Sequence, residues 1–161
     1  MVLVIILVGI IFSMGSVMLG KVFSSYSAKQ EIAEADWQAK VALERAAREL
    51  RAVRTATAAD LDVASAVQVR FIDTDDNGVC FYRNVAANRI MRSADGPATA
   101  CGTTNPQTLA DNITALSFTY WASNGAATAV TASVYYITVD MTVADGVYNS
   151  RFRTNVRPRN F

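Results

Sequence analysis

Histidine is absent from the 161 residues, and no aspartate, glutamate, lysine or arginine stands before Lys21. The first absence removes the commonest general base, the Ser-His and Cys-His nucleophile pairs and most zinc ligand sets. An enzyme is therefore not expected, no catalytic residue stands out and no cofactor is implied. The second absence leaves an apolar N-terminus joined to a length of chain that suits one domain. An excess of either charge is also lacking. Fifteen basic residues face fourteen acidic ones; from Lys21 to Asp60 the balance is seven to six, and beyond it eight to eight. A nucleic-acid partner is not expected from such a balance.

What is present begins with residues 1–20, MVLVIILVGIIFSMGSVMLG. At about 1.5 Å per residue they make a helix of roughly 30 Å, the thickness of a bilayer's hydrocarbon core. A cleaved secretory signal would open on basic residues and carry a shorter apolar stretch, and a soluble core helix apolar on every face would need more protein around it than this chain supplies. A transmembrane segment with the lipid bilayer as partner is the expectation. Gly9, Ser13, Gly15 and Ser16 are small positions within it, where close packing against other helices is available. The other account of the glycines is that membrane helices simply hold more of them.

After Gly20 the pattern becomes amphipathic and contains no proline. Ile32, Ala39, Leu43, Ala46, Leu50 and Val53 trace one face of a helix. Glu44 and Arg48 stand four apart in the favourable order, and Arg45, Arg48, Arg51 and Arg54 form a stripe three residues apart. The stripe suits a solvated face, or a docking surface for acidic partners in which Arg45, Arg48 and Arg51 are the contact residues. The composition of TATAAD ends the helix, so residues 21–57 are predicted as its amphipathic half.

Residues 58–161 read as an antiparallel sheet. Val67, Val69 and Phe71 alternate with polar residues, TDDNG supplies a turn, VCFYRNV returns, and a turn over Ala86–Asn88 leads into RIMRSA. Gly96, Pro97, Gly102 and Pro106 mark a long loop. The later runs ALSFTYWA, SVYYITVDMTV and VYNSRFRTNV are β-branched and aromatic, and are broken at Asn124-Gly125 and Asp145-Gly146. The fold class is therefore α+β, a long N-terminal helix packed through its apolar stripe on a C-terminal antiparallel sheet.

Asp73-Thr74-Asp75-Asp76-Asn77-Gly78 fits the first half of a calcium loop, with Asp73, Asp75 and Asn77 as oxygen ligands. Position twelve would be Asn84 in place of a bidentate glutamate, and the flanks read as strands, so a polar hairpin turn is the better reading and no metal is expected. Asn112-Ile113-Thr114 matches a glycosylation sequon by pattern alone. Cys80 and Cys101 are the two cysteines. A disulfide is their simplest use, worth about 3 kcal/mol in the loop-entropy account and requiring an oxidising compartment such as the periplasm. Two buried thiols are the alternative.

The order of these pieces resembles the type IV pilin and pseudopilin superfamily. ADWQAKVALERAARELRAVR, VRFIDTDDNGVCFYR with RIMRSA, LADNITALSFTYWASNG and the ending VRPRN are similar to its minor subunits: the J-type minor pseudopilins of type II secretion, the W-type minor pilins and the O-type biogenesis protein of mannose-sensitive haemagglutinin pili. The resemblance implies a minor structural or assembly subunit, anchored in the bacterial inner membrane with a periplasmic C-terminal domain. Its implied partners are other pilin or pseudopilin subunits and the inner-membrane assembly platform. A membrane-anchored binding module or adhesin that never polymerises is the second reading. Members of the superfamily carry a basic leader ending in glycine and a glutamate at the fifth mature position. MVLVIILVGII resembles the stretch after that glutamate, so Met1 is expected to lie a few residues into the mature helix.

Overall fold

The computed structural model describes residues 2–145 and 148–161, without the side chains of residues 2, 3, 5–11, 13–17, 28 and 145. The chain divides into two units, Met1–Glu34 and Ala35–Phe161. Helix α1 (Val2–Leu50) begins in the first and ends in the second. In the first unit, Met18, Leu19, Val22, Phe23 and Tyr26 are exposed. Among the described residues no helix is long and apolar enough to cross a membrane. Most side chains of residues 1–20 lie outside the described ones.

In the second unit α1 buries Ala35, Ala39, Ala42, Leu43, Ala46, Ala47 and Leu50. Their spacing of three and four keeps them on one face, and five of the seven are alanine, so the backbone itself comes close to the strands. Ala39, Leu43, Ala46, Leu50 and Val53 of the expected stripe are buried, while Ile32 is half-buried. Ala46 is fully enclosed. Ala46→Leu is expected to lower stability by about 1–3 kcal/mol through overpacking, read as a fall in the urea midpoint of the full chain. An unchanged midpoint would mean the helix has room to spare.

The helix stops at Leu50, seven residues short of the boundary read from composition. Ala52 and Val53 donate to carbonyls three residues back, tightening the last turn, and the next backbone groups go to the sheet: Arg54 N to Ile72 O (3.0 Å) and Thr74 N to Ala52 O (3.0 Å). Ladder hydrogen bonds thus take over the groups that a further helical turn would have used.

Among the described residues eight strands follow: β1 (Leu61–Asp62), β2 (Gln68–Ile72), β3 (Gly78–Asn84), β4 (Arg89–Ser93), β5 (Gln107–Ala110), β6 (Ile113–Trp121), β7 (Tyr136–Asp145) and β8 (Tyr148–Val156). The single expected sheet is in fact two antiparallel sheets, ordered β1-β2-β3-β4-β5 and β6-β7-β8. The division falls at Asn112, whose left-handed backbone (φ 59°) swings the chain off the β5 edge; Ile113 N then donates to Asn88 O (2.7 Å). From there β6 pairs with β7 alone among the named strands. The inward residues of both sheets and of α1 form one apolar cluster that includes Phe71, Phe81, Ile90, Phe118, Ile137 and Met141. The Asn124-Gly125 turn is present, with Gly125 at φ 78°. The Asp145-Gly146 turn lies outside the described residues.

Candidate functional site

Cys80 sits in the middle of β3, on the strand face opposite to Val79 and Phe81 by the two-residue alternation. It is joined to Cys101 as a disulfide, with the Cα atoms 5.7 Å apart. The bridge draws the loop after β4 over the second face of the five-stranded sheet. Two close approaches need glycine there. A Cβ on Gly78 would overlap the backbone of Gly96, and Gly102 takes φ 84° with the Tyr82 hydroxyl beside it.

Asp95 is the polar centre of that loop and is almost fully buried. It accepts hydrogen bonds from the amides of Gly102 (2.8 Å) and Thr103 (3.1 Å) and from the Thr103 hydroxyl (2.5 Å). Burial pushes its carboxyl up, but hydrogen bonds from Ser93, Thr103 and Thr104 outweigh that and hold it well below the ordinary carboxylate range. Asp60 is lowered by the Arg54 guanidinium and the Thr55 hydroxyl, and Asp140 by Arg151 and then Arg153. A carboxyl depressed in the folded state stabilises above the unfolded value of about 3.9 and loses that contribution as pH falls through the folded value. Stability is therefore expected to be level from about pH 7 to 5 and to fall below about pH 4. Asp95→Asn should flatten that acid limb in urea titrations repeated across pH, while costing about 1–3 kcal/mol at neutral pH. Asp140 should matter less, because its arginine partners are mostly in water.

The calcium-like segment is a hairpin turn between β2 and β3. The Asp73 carboxylate accepts from the amides of Asp75 (2.9 Å) and Asn77 (2.8 Å), and Asp76 takes a left-handed backbone (φ 62°) and pairs with Arg54. Asp75 is exposed. Among the described residues no three histidine, cysteine or acidic side chains are placed to hold a metal ion.

The arginine stripe divides by partner. Arg45 donates to Glu49 (2.9 Å), which also accepts from Arg92 on β4 (2.8 Å) and so ties the helix to the five-stranded sheet. The Glu44–Arg48 pair read from spacing is not formed among the described residues; Arg45–Glu49 occupies that geometry instead. Arg48 and Arg51 are exposed and line a groove of about 890 Å³ with Lys40, Glu44 and Arg153. Trp37 and Val41, on the same helix, are exposed as well. Gly9, Ser13 and Gly15, the other expected contact positions, have side-chain surroundings outside the described residues.

Two arrangements escaped the sequence. On the solvent-side face of the three-stranded sheet Asp140 is bracketed by Arg151 (2.7 Å) and Arg153 (2.9 Å), a pairing set by the β7–β8 register. Further along, Trp121 stacks on Tyr136 with ring centres 5.8 Å apart and donates to Thr138 (2.9 Å), which donates in turn to Asn155 (2.8 Å). The alternation of β7 and β8 was the one available signal, and it says which face a residue takes but not which residue lies across.

A comparison with protein-family models and with characterised proteins yields no match. The fold class is α+β, with one N-terminal helix and antiparallel sheets.

Proposed function

We propose that the chain is a minor structural or assembly subunit of a type IV pilus or type II secretion pseudopilus. Residues 1–20 would hold it in the bacterial inner membrane as a single-pass span, with the C-terminal domain in the periplasm, until it enters the fibre, where it serves in initiation or at the tip. In this reading it is not an enzyme and uses no cofactor; it works through contacts with other pilin or pseudopilin subunits and with the assembly platform. The observation that carries the reading is one helix, Val2–Leu50, with two kinds of surface. Its earlier described residues expose Phe12, Met18, Leu19, Val22 and Phe23, whereas its last turns bury an alanine-rich face in the core. Lipid and the helices of neighbouring subunits cover such an apolar surface about equally well, so transfer between them costs little. The disulfide agrees with an oxidising compartment.

The test is to shear fibres from cells that make the chain and probe the fibre fraction for it, with and without the assembly motor. Motor-dependent appearance in the fibre fraction is the expected result. A chain that stays wholly in the membrane fraction in both strains would be a non-polymerising anchored module or adhesin.

A further inference from the structure

We propose that Arg48, Arg51 and Arg159 form a binding site for a phosphoryl group. Arg48 and Arg51 stand three residues apart at the end of α1 and so share a helix face. The Arg159 amide donates to the Arg51 carbonyl (3.1 Å), which brings a third arginine to the same place, and the Asn160 side chain donates to Val53 O (3.1 Å) and fastens the tail there. With Ala52, Thr74 and Asn160 the three arginines line a basin of about 400 Å³ that holds no acidic residue among its described lining.

The distinguishing feature is that these three guanidinium groups have no partner among the described residues. Every other arginine is engaged: Arg45, Arg54, Arg70, Arg89, Arg92, Arg151 and Arg153 with carboxylates, Arg83 with the Ile113 carbonyl, and Arg157 over the Tyr135 ring. The neighbouring acids are occupied or set apart. Glu49 serves Arg45 and Arg92, Asp73 serves its own turn, Asp76 pairs with Arg54, and Glu44 lines the adjoining groove and not the basin.

Three like charges left together raise one another's free energy, and an oxyanion that accepts from several of them at once removes that cost. Guanidinium forks match phosphoryl oxygens two at a time, and the Thr74 hydroxyl and Asn160 amide add neutral partners around a small volume. An extended acidic peptide would run on from the basin into a groove of mixed sign, where Glu44 and Glu49 stand beside Lys40, Arg45 and Arg153. The phosphoryl group could belong to a free phosphate compound or to a lipid headgroup.

The experiment is calorimetric titration of the full chain, in nonionic detergent at low salt, with pyrophosphate. Saturable binding at one site is expected, weakened at least about tenfold in the Arg48→Gln/Arg51→Gln double variant and by a smaller factor in Arg159→Gln. Arg157→Gln should bind as the parent does, and urea midpoints equal to the parent's show that the variants are folded. Dihexanoyl phosphatidylglycerol is then added in competition. Displacement of pyrophosphate points to a headgroup as the source, and failure to displace it points to a free or terminal phosphate. No saturable pyrophosphate binding, or undiminished binding by the folded double variant, overturns the site. So does a hexaglutamate peptide that binds through the three arginines and is not displaced by pyrophosphate, which would assign the basin to an acidic protein partner.

Discussion

Phe81→Ala is expected to lower the stability of the globular unit by about 3–5 kcal/mol. Phe81 is fully buried at the centre of β3, paired across to Val69 on β2 and Arg92 on β4, and its ring lies 6.3 Å from that of Phe71 at an interplanar angle of 23°. The apolar cluster to which it belongs also holds Leu50 of α1, Leu61 of β1, Phe118 of β6 and Met141 of β7. A void there is bounded by strands on ladder registers that cannot shift by less than a residue, so little of it collapses. Because domains of this size are stable by only about 5–15 kcal/mol, the variant should lose a large share of its stability. Urea unfolding followed by tryptophan fluorescence measures it. A loss below about 1 kcal/mol would mean the helix and sheets close over the gap.

The second large effect is expected on removing the disulfide. A Cys80→Ala/Cys101→Ala variant should be less stable by about 3 kcal/mol, since the bridge closes a loop over a sequence separation of 21. The local consequence is separable from the global one. Gly102 and Thr103, the amide donors to Asp95, follow Cys101 directly, so their protection from hydrogen exchange should fall before that of β3 does. Uniform loss of protection through the unit would show instead that the loop and sheet unfold together.

Much of the fold was legible because it rests on local periodicity. Val69 and Phe71 alternate with polar residues into the core, and Ala39, Leu43, Ala46 and Leu50 recur at helical spacing; both periods are properties of the backbone and survive any tertiary arrangement. The strands that went unread, β1 and β5, have two and four residues, too few for a period to show. The helix end was misplaced for a different reason. Nothing in RAVRTAT, residues 51–57, forbids another turn, and only pairing of Arg54 and Thr74 with the sheet decides against it. The candidate contact residues were legible as types and positions, but their status was not, since whether Arg45 or Arg48 is free depends on which one meets Glu49.

By itself the sequence determined the class of each segment: an uncharged stretch, an amphipathic helix, a half rich in alternating strands, and a pair of cysteines with one simple use. Those follow from side-chain chemistry and spacing along the chain. Only the tertiary structure decided that the strands form two sheets, that Asp95 is buried within the bridged loop, and that Arg159 returns to Arg48 and Arg51 across more than a hundred residues. The physical reason is that periodicity selects a face, whereas partners across that face are set by turns and registers, which small changes in a few residues such as Asn112 redirect. The absence of charge before Lys21 marks where to look for a span, and the three arginines without a partner among the described residues mark a place that the helical stripe, which holds Arg48 and Arg51, shows only in part.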